Sequence, residues 1–553
     1  MLEEIVTGLF KFEDASTVAF RFEDDTPCPW GFVWDERDYI ESATSQTSLS
    51  WVKNQLQTCL TEHLGCSANT ADPLLPTRVL DVGTGDRETI KVFETKGLRA
   101  KYITLSHCWG HPESMTTKLT AHTRDQYLQG IPYEALPLTF RDSVTATRSL
   151  GIRYLWIDSL CIIQKDEKQD TPEDEEMHQK DWEHESGRMC SVYQNCYLTL
   201  AAVDSTDCMG GLFLKGDMVR MEGDSDKGPY CFYGSRAIRH FAAGFPLLQR
   251  GWVKQEILLS PRTLFYGKEE LRWLCRTHTV CQCRYFGGDR GALWGFHKLP
   301  SAEDARASFT RPQLISTWHD IIRDYSVTSL THVTDKLVAI EGIAEYMRSL
   351  RNSECLAGLW AHSLGLDLLW NSDVFSSIDR DPMKYPHTTP ARVAHTDPLG
   401  KTPWSSGKWL FPTWSWASIQ GKIGWDWTGR FTTDYSPDTV LIQHIKDESL
   451  PANELRLRGV LIPSTLGVMQ KVLNYRELYC PDLRNQEDIF GADKAVQCLR
   501  VFQSGKDRIS LVLVCVDEEK RLYERLGLLT LRYSGHDFWK CRDSKTQVEV
   551  PPW

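Results

Sequence analysis

The pattern of hydrophobic and polar positions is most regular in residues 151–202. The apolar run at residues 154–157 ends on the carboxylate Asp158, which is typical of a strand buried on both faces of a parallel sheet. The acidic stretch that follows predicts a solvated loop. Beyond it, apolar residues at helical spacing predict an amphipathic helix with Asp181 as its N-cap, and a second apolar strand ends the segment.

Glu185 interrupts the apolar stripe of that predicted helix. On an ideal helix it lies only about 40° from Met189 around the axis, whereas Glu183 projects away from the stripe. An ionised carboxylate at the border of a core is costly unless it is paired. One interpretation is a cap or a salt bridge in the first helical turn, where a negative charge suits the helix dipole. The other interpretation is a functional carboxylate, and the pattern leaves both open.

A second apolar run precedes this segment and predicts another strand. Residues 102–105 break into polar residues, and residues 136–150 predict a connecting helix. A right-handed crossover makes this strand parallel to the one at residues 154–157, so the ends of both strands meet at one carboxyl edge. Open α/β sheets bind their ligands at that edge. The residues that we expect to cluster there are Ser106, His107, Trp109, Asp158 and Glu185.

The side chains at the end of the first strand have more than one interpretation. Ser106 and His107 have the chemistry of a hydrolase pair, but adjacent strand residues point to opposite faces, which argues against a Ser-His nucleophile. Trp109 is suited to stacking on a base, although an aromatic residue at a strand end more often packs in a core. We therefore expect ligand contacts or packing from these residues.

The glycine-rich run at residues 80–85, LDVGTG, resembles the first motif of Rossmann-type methyltransferases. Such a motif needs a helix directly after the glycines. Here a polar stretch and another strand-like run follow, so we favour a β-hairpin with its turn at residues 83–86.

Composition and charge narrow the classes of function. The chain has 553 residues, of which 41% are hydrophobic and 25% charged, and this predicts a folded protein of several domains. A net charge of −11 argues against a dedicated nucleic-acid surface, because phosphate binding needs clustered positive charge. No stretch approaches the roughly 18 apolar residues of a membrane helix, and the first residues do not resemble a secretory signal. We expect a cytoplasmic protein without a membrane partner.

The 17 cysteines are scattered through apolar contexts and predict buried, reduced thiols. Two clusters contain residue types that bind metals. Neither cluster has the paired CxxC or HxxxH spacing of a typical zinc site, so we predict that no metal binds, with metal binding as the alternative. The first cluster consists of Cys59, His63 and Cys66. The second consists of Cys275, His278, Cys281 and Cys283.

Several sequence blocks resemble the signature blocks of fungal heterokaryon incompatibility (HET) domain proteins. They are YITLSHCWG, GIRYLWIDSLCIIQKD with DWEHESGRM, and RGWVKQEILLSPRTLFYG, with flanking blocks such as LLPTRVLDVG and FPTWSWASIQG. The resemblance covers about residues 51–421. The chain departs from the family pattern at Lys254 and Ile257 and in the extended acidic insert.

The resemblance implies an α/β fold, with a flavodoxin-like parallel sheet distantly similar to that of Toll/interleukin-1 receptor (TIR) domains. We expect an N-terminal extension at residues 1–100, the HET domain at 101–266, a helical, Trp-rich extension at 267–440, and a β-rich region at 441–553. The extensions are expected to be α+β. Six tryptophans lie close together in the sequence of these extensions, and we expect them to fill a core and interfaces. They are Trp404, Trp409, Trp414, Trp416, Trp425 and Trp427.

The resemblance also implies three functions from different classes. The first is a role in non-self recognition and regulated cell death, through protein partners or self-association. The second is hydrolysis of NAD as a substrate, as in some TIR domains, with Glu185 matching their catalytic glutamate and Asp158 beside it. The third is an enzyme of specialised metabolism. No cofactor is implied, although a small nucleotide ligand fits the second function.

The RGWVKQE block adds three candidate ligand-binding residues near a short predicted helix, Arg250, Gln255 and Glu256. A guanidinium group at position 250 suits a salt bridge with Asp158 or Glu185, or a bidentate contact with a phosphate. The structural salt bridge is the favoured interpretation.

Overall fold

A computed structural model describes most of the chain. The described residues are 17–22, 46–67, 72–85, 89–111, 115, 117–214, 218–225, 228–238, 244–268, 270–282, 298–372, 391–392, 410–425, 440–446, 455–466, 477–482, 491, 493–504, 507–519, 521–532 and 547–550. They divide into two compact units. The first comprises Met1–Asp304 and Ile340–Ile343, and the second comprises Ala305–Ala339 and Ala344–Trp553.

The first part of the chain alternates strands and helices around an eight-stranded sheet, and three further strands form a separate antiparallel sheet. Its elements are β1 Thr17–Phe22, α1 Gln46–Thr61, α2 Leu64–Ser67, β2 Arg78–Asp81, β3 Lys91–Glu94, β4 Tyr102–Ser106, α3 Arg124–Gln129, α4 Leu138–Ser149, β5 Tyr154–Trp156, α5 Asp158–Cys161, α6 Pro172–Ser186, α7 Met189–Asn195, β6 Leu198–Ala201, β7 Met218–Ser225, β8 Gly228–Ile238, α8 Gly251–Leu259, β9 Arg262–Tyr266, β10 Leu271–Cys275 and β11 Thr279–Cys281.

The central sheet of the first unit has eight strands in the order β11-β10-β9-β6-β4-β5-β2-β3. The inner strands β9, β6, β4 and β5 pair in parallel. The hairpins β2–β3 and β10–β11 add antiparallel strands at the two sides. From β4 the chain moves to β5 on one side, returns to β6 on the other side and continues to β9. The strand order therefore reverses at β4.

The predicted parallel strands are confirmed. Ile103 of β4 lies opposite Leu155 of β5, and both side chains are fully buried. The two runs are continuous in apolar residues because helices cover both faces of these inner strands. The predicted hairpin is also confirmed, since β2 and β3 pair in antiparallel register. Its connection is longer than the predicted turn at residues 83–86, because the last paired residues are Asp81 and Lys91, and residues 86–88 of the connection lie outside the described residues.

The helix that was expected to begin at Asp181 begins earlier in the chain, and it ends before the predicted apolar stripe ends. Helix α6 has Thr171 as its N-cap, with a capping box to Asp174 and a proline at its first position. It ends at Ser186, and α7 starts separately at Met189. The acidic insert is thus largely helical rather than a loop. Its side chains are mostly exposed to solvent, as the sequence predicted.

The second part of the chain ends in a β-rich region, as expected. Its elements are α9 Ala302–Ser308, α10 Arg311–Ser326, α11 Glu341–Arg351, β12 Cys355–Leu356, β13 Leu359–Trp360, α12 Leu364–Asp367, β14 Asn371–Ser372, β15 Ala391–Arg392, β16 Ile419–Gln420, β17 Ile423–Gly424, β18 Gln443–His444, β19 Leu457–Thr465, β20 Glu477–Pro481, β21 Ala495–Ser504, β22 Asp507–Asp517, β23 Leu522–Arg532 and β24 Gln547–Val550. Seven of these strands form one antiparallel sheet, β18-β19-β21-β22-β23-β20 with β24 beside β19.

Tryptophans supply much of the bulk of the second unit. Trp414, Trp416 and Trp425 are each no more than 2% exposed. The neighbouring tryptophans of the same stretch, Trp404, Trp409 and Trp427, lie outside the described residues. Across the described residues, no helix is both long enough and apolar enough to cross a membrane.

A fully buried arginine ties the second unit together. Arg525 of β23 donates to both carboxylate oxygens of Asp482, at 3.0 and 3.2 Å, and to the carbonyl oxygens of Leu368 and Trp370. Its guanidinium group also lies 3.5 Å from the centre of the Trp370 ring. A buried charge is tolerated only when it is paired and hydrogen-bonded in this way.

We predict that Asp482→Asn destabilises the second unit by about 3–5 kcal/mol, because it leaves the Arg525 guanidinium buried without a counter-charge. Urea unfolding followed by tryptophan fluorescence measures the loss. Glu518→Gln, at an exposed position after β22, is the control and should change the unfolding free energy by less than about 0.5 kcal/mol. Equal small effects of both variants would contradict the assigned role of the pair.

Candidate functional site

The strand order reverses at β4, whose carboxyl end lies beside that of β5, and the start of α8 reaches the same edge. A helix that precedes a parallel strand runs antiparallel to it, so the first residues of α8 lie at the carboxyl edge of β9. We call the residues gathered here the edge cluster. It consists of Ser106, His107, Trp109, Asp158, Arg250 and Glu256.

Asp158 is the most accessible carboxylate of the edge cluster. It comes after Ile157, the residue that follows β5, and it starts α5; its side chain is 23% exposed. One carboxylate oxygen accepts a hydrogen bond from Nε1 of Trp109 at 2.8 Å, and the other accepts one from the backbone amide of Ser159 at 2.7 Å. Both oxygens are therefore fixed in direction while the group remains within reach of a ligand.

His107 is a buried, neutral imidazole. Its side chain is 1% exposed, and its ring packs edge-on against Phe140 with 5.1 Å between ring centres. Nδ1 lies 3.9 Å from a carboxylate oxygen of Asp158, which is too far for a hydrogen bond. Burial lowers the pKa of His107 to about 4; Asp158 opposes this shift, and Arg250 adds to it.

Glu256 is a buried carboxyl group in the middle of α8. Burial raises the pKa of Glu256 to about 7. The hydroxyl groups of Ser106 and Tyr193 and the charge of Arg250 lower this pKa, and the charge of Asp158 raises it. A carboxyl group with a pKa near neutrality can donate or accept a proton at physiological pH.

Arg250 connects the two sides of the edge cluster. It is the residue before α8, and its Nη1 donates a hydrogen bond to the carbonyl oxygen of His107. The bond fixes the start of α8 against the end of β4. It also places a partly exposed positive charge close enough to lower the pKa of both His107 and Glu256. The salt bridge predicted between Arg250 and Asp158 or Glu185 is not among the ion pairs of the described residues.

Three polar atoms of the edge cluster are buried without a hydrogen-bond partner among the described residues. They are Oγ of Ser106, Nε2 of His107 and Oε2 of Glu256. The Ser106 hydroxyl lies close enough to the Glu256 carboxyl group to lower its pKa, although the two groups do not reach hydrogen-bond geometry. Leaving a buried polar atom unpaired costs about 1–3 kcal/mol. Native proteins keep few such atoms, and each calls for a reason such as a bound water or a ligand.

Glu185 is buried beside this edge but is not in the first turn of its helix. It is the last residue but one of α6, where a negative charge is unfavourable to the helix dipole. Its side chain is 3% exposed, and Oε1 lies 3.9 Å from Nη2 of Arg78 without a hydrogen-bond partner. Glu185 is therefore neither a cap nor a first-turn charge, whereas the salt-bridge part of that interpretation is supported by the ion pair with Arg78.

Arg78 is a functional candidate that the sequence pattern did not single out. Its Nη2 donates to both carboxylate oxygens of Asp181, at 2.6 and 2.5 Å, and its Nε donates to the carbonyl oxygen of Cys161. The same Nη2 lies 3.9 Å from Oε1 of Glu185, as does Nε2 of His184. The pairing joins residues 103 positions apart in the chain, so no local pattern could predict it.

The structure brings most of the predicted site residues together. Ser106, His107, Trp109 and Asp158 join Arg250 and Glu256 in the edge cluster. Gln255 is buried on α8 with Nε2 unpartnered, and no hydrogen bond joins it to the edge cluster within the described residues. The sequence did not predict that Phe140 and Tyr193 contact residues of the edge cluster. Both lie in apolar helical stripes, and that pattern indicates only core residues.

Comparison with known proteins identifies part of the chain. Residues 102–256 match the family described as "Heterokaryon incompatibility protein (HET)". The matched range runs from the first residue of β4 to Glu256, so it includes the whole edge cluster, Glu185 and Gln255. No curated protein and no solved structure matches the chain with significant similarity.

We predict that two single variants reveal opposite pH dependences that cancel in the wild-type protein. The pKa of His107 is lowered from 6.5 to about 4, so its contribution to stability is present above pH 6.5 and lost as pH falls towards 4. The pKa of Glu256 is raised from 4.5 to about 7, so its contribution is present below pH 4.5 and lost as pH rises towards 7.

In Glu256→Gln, the unfolding free energy should therefore rise between about pH 4.5 and 6.5, on the order of 3 kcal/mol. In His107→Gln it should fall by a similar amount over the same interval, because only the Glu256 contribution remains. Urea unfolding at several pH values measures both slopes. Slopes of the same sign in the two variants would contradict the assigned environments.

Proposed function

Because residues 102–256 form a domain of the heterokaryon incompatibility family, we propose that the protein acts in the non-self recognition that follows fusion of fungal hyphae. In this proposal the domain is a cell-death effector, and its signal depends on a small ligand bound at the edge cluster. We place this domain at residues 101–266. The helical and β-rich regions after it would bind protein partners or mediate self-association.

One observation carries the ligand-binding part of the proposal. Three buried polar atoms at the carboxyl edge of the parallel strands, on Ser106, His107 and Glu256, have no partner at hydrogen-bond geometry among the described residues, although the Ser106 hydroxyl lies near the Glu256 carboxyl group. Ligands of open α/β sheets bind in the crevice where the strand order reverses, and the reversal at β4 lies at this edge. A bound polar ligand would supply the missing hydrogen bonds and recover their free energy.

The charges and rings at the edge favour a nucleotide. Arg250 carries five donors, which suit a phosphate group, and its one hydrogen bond among the described residues goes to His107. Asp158 presents two oriented carboxylate oxygens, which suit ribose hydroxyls. The indole of Trp109 is partly exposed and suits stacking on a flat base. These three groups together fit a molecule such as NAD.

The strand order supports a TIR-like fold for this domain. Numbered along the chain, the parallel strands β4, β5, β6 and β9 lie side by side in the order 2-1-3-4. This is the order of flavodoxin-like sheets, which bind their ligand between strands 1 and 3. Fold alone does not carry function, so the argument for NAD rests on the side chains at the edge.

A second candidate function is hydrolysis of NAD, and the environment of Glu185 favours it. A buried carboxylate whose Oε1 has no hydrogen-bond partner and lies 3.9 Å from Arg78 can stabilise positive charge developing on ribose as the nicotinamide bond breaks. The nicotinamide leaves with the bonding electron pair, water adds to the ribose carbon, and the proton of that water goes to a base. Glu256, with its pKa near 7, suits the proton transfer.

We predict that the purified full-length protein releases nicotinamide from NAD and that Glu185→Gln lowers this rate by on the order of a hundredfold or more. The amide is nearly the same size as the carboxylate, so the fold should be kept. Glu183→Gln on the same helix is the matched control, because Glu183 is exposed and contacts Gln179 at 3.0 Å. Chromatography of nicotinamide measures the rates.

If the wild-type protein does not release nicotinamide from NAD, the hydrolase function is rejected. The proposed effector role would then depend on ligand binding without hydrolysis. A rate unchanged in Glu185→Gln, or reduced equally in Glu183→Gln, would reject the choice of catalytic residue. Thermal unfolding of both variants distinguishes a lost carboxylate from a lost fold.

A further inference from the structure

Side chains from two distant parts of the chain meet beside the central sheet of the first unit. The sulfur atoms of Cys59, Cys66 and Cys275 and a ring nitrogen of His63 all lie within 4.8 Å of one another. The three cysteines are buried and free, and His63 is half-buried. We call these four residues the thiol cluster. It lies outside residues 102–256, so it is independent of the family match.

The local structure explains how the four side chains converge. Cys59 lies in the last turn of α1, His63 in the short connection, and Cys66 in α2. Cys275 is the last residue of β10, where the hairpin turns towards β11. Nδ1 of His63 and Sγ of Cys275 are 3.3 Å apart although the residues are 212 positions apart in sequence.

We propose that the thiol cluster is a structural zinc site with three cysteine ligands and one histidine ligand. Structural zinc is bound by four protein ligands in a tetrahedron, and three cysteines with one histidine are a common set. A Zn–S distance of about 2.3 Å places ligand sulfurs about 3.8 Å apart. The observed spread, up to 4.8 Å, needs shifts of about 1 Å or less to reach that geometry.

The surroundings of the sulfur atoms favour thiolates. Nε of Arg262 donates to Sγ of Cys59 at 3.2 Å, and the backbone amide of His278 donates to Sγ of Cys275 at 3.3 Å. Oγ1 of Thr277 lies 3.7 Å from Sγ of Cys66. Such outer hydrogen bonds orient metal ligands and tune the metal that they hold.

Arg262 provides a second, independent observation. It is 5% exposed, and its other donors reach the carbonyl oxygens of Tyr197 and Cys66. No carboxylate among the described residues forms an ion pair with it, yet a buried guanidinium needs a counter-charge. Three thiolates around Zn²⁺ carry a net charge of −1 and supply it. Uncharged thiols would leave the guanidinium without a counter-charge.

The chemistry of the ligands selects zinc and a structural role. Soft thiolates with one imidazole suit Zn²⁺, whereas Mg²⁺ and Ca²⁺ require oxygen ligands. Four protein ligands leave no open position for water or substrate, so the site is not a catalytic one. The ion would join α1 and α2 to the β10–β11 hairpin, where Cys59 and Cys275 already belong to one hydrophobic core.

Neither of the two sequence clusters corresponds to this site. The first supplies three ligands and the second only one. His278 lies beside the site, with its ring centre 5.9 Å from that of His63, and Cys281 is buried on β11 without joining the cluster. Cys283 lies outside the described residues. Each sequence cluster contains only part of the ligand set, so the spacing of ligands along the sequence did not predict the site.

The test is the metal content of the full-length protein, purified without chelator and measured by mass spectrometry of the metal. We expect about one zinc per chain, and proton release when the metal-free protein binds Zn²⁺, because the thiols lose their protons. Co²⁺ added to metal-free protein should give the visible absorption bands of a tetrahedral thiolate site. Wild-type protein without zinc, and without these bands, would overturn the proposal.

Two matched variants locate the site. Cys275→Ser should weaken zinc binding by more than the roughly 10–100-fold that loss of an outer hydrogen bond costs. Cys281→Ser, which changes a buried cysteine of the same hairpin, should retain full zinc content. Equal loss of zinc in both variants would overturn the assignment of ligands.

A third measurement does not depend on the folding of any variant. Removal of zinc from the wild-type protein by a chelator should increase alkylation of Cys59, Cys66 and Cys275, mapped by mass spectrometry, while labelling of Cys281 rises less. A disulfide between two cysteines of the thiol cluster in the freshly purified, zinc-free protein would instead overturn the proposal.

Discussion

Parallel pairing of β4 on both of its sides is the constraint on which the first unit depends. Parallel neighbours cannot be joined by tight turns, so the connections to β5 and from β5 to β6 cross the sheet through helices. Because β5 and β6 lie on opposite sides of β4, these helices lie on opposite faces. In sheets of this kind ligands bind at the carboxyl edge where the strand order reverses, which is here the end of β4, where Ser106 ends the strand and His107 follows it.

Burying the polar groups of the edge cluster costs folding free energy. A buried imidazole with its pKa lowered to about 4 and a buried carboxyl group with its pKa raised to about 7 both disfavour their charged forms. Titratable groups perturbed by burial and by specific charges occur most often at functional sites. Arg250 and Asp158 impose opposite electrostatic effects on these two groups, and this makes the edge cluster a single electrostatic unit.

The parts of the fold that the sequence predicts are those whose signal is local. The strands β4 and β5 are short apolar runs with a helix-length connection, and chain geometry then places Ser106 and Asp158 at one edge. The start of α6 was missed because its residues are almost all polar, with no apolar stripe to indicate a helix. The signal that could have found it is the capping box of Thr171 and Asp174 with Pro172 between them.

The remaining features depend on contacts between distant residues. Arg78 reaches Asp181 and the vicinity of Glu185 because β2 pairs with β5, and that pairing leaves no trace in either segment alone. The thiol cluster unites Cys275 with residues near α1 for the same reason. The raised pKa of Glu256 follows from its burial beside Asp158, which a helical pattern cannot reveal.

Hydrogen exchange of backbone amides with and without NAD tests the central claim most directly. If the edge cluster binds the nucleotide, its addition should slow exchange together in three separate segments: the loop after β4, the start of α5, and the start of α8. The β10–β11 hairpin and the second unit should exchange at unchanged rates. Unchanged exchange in those three segments at saturating NAD, or protection confined to another region, would contradict the account.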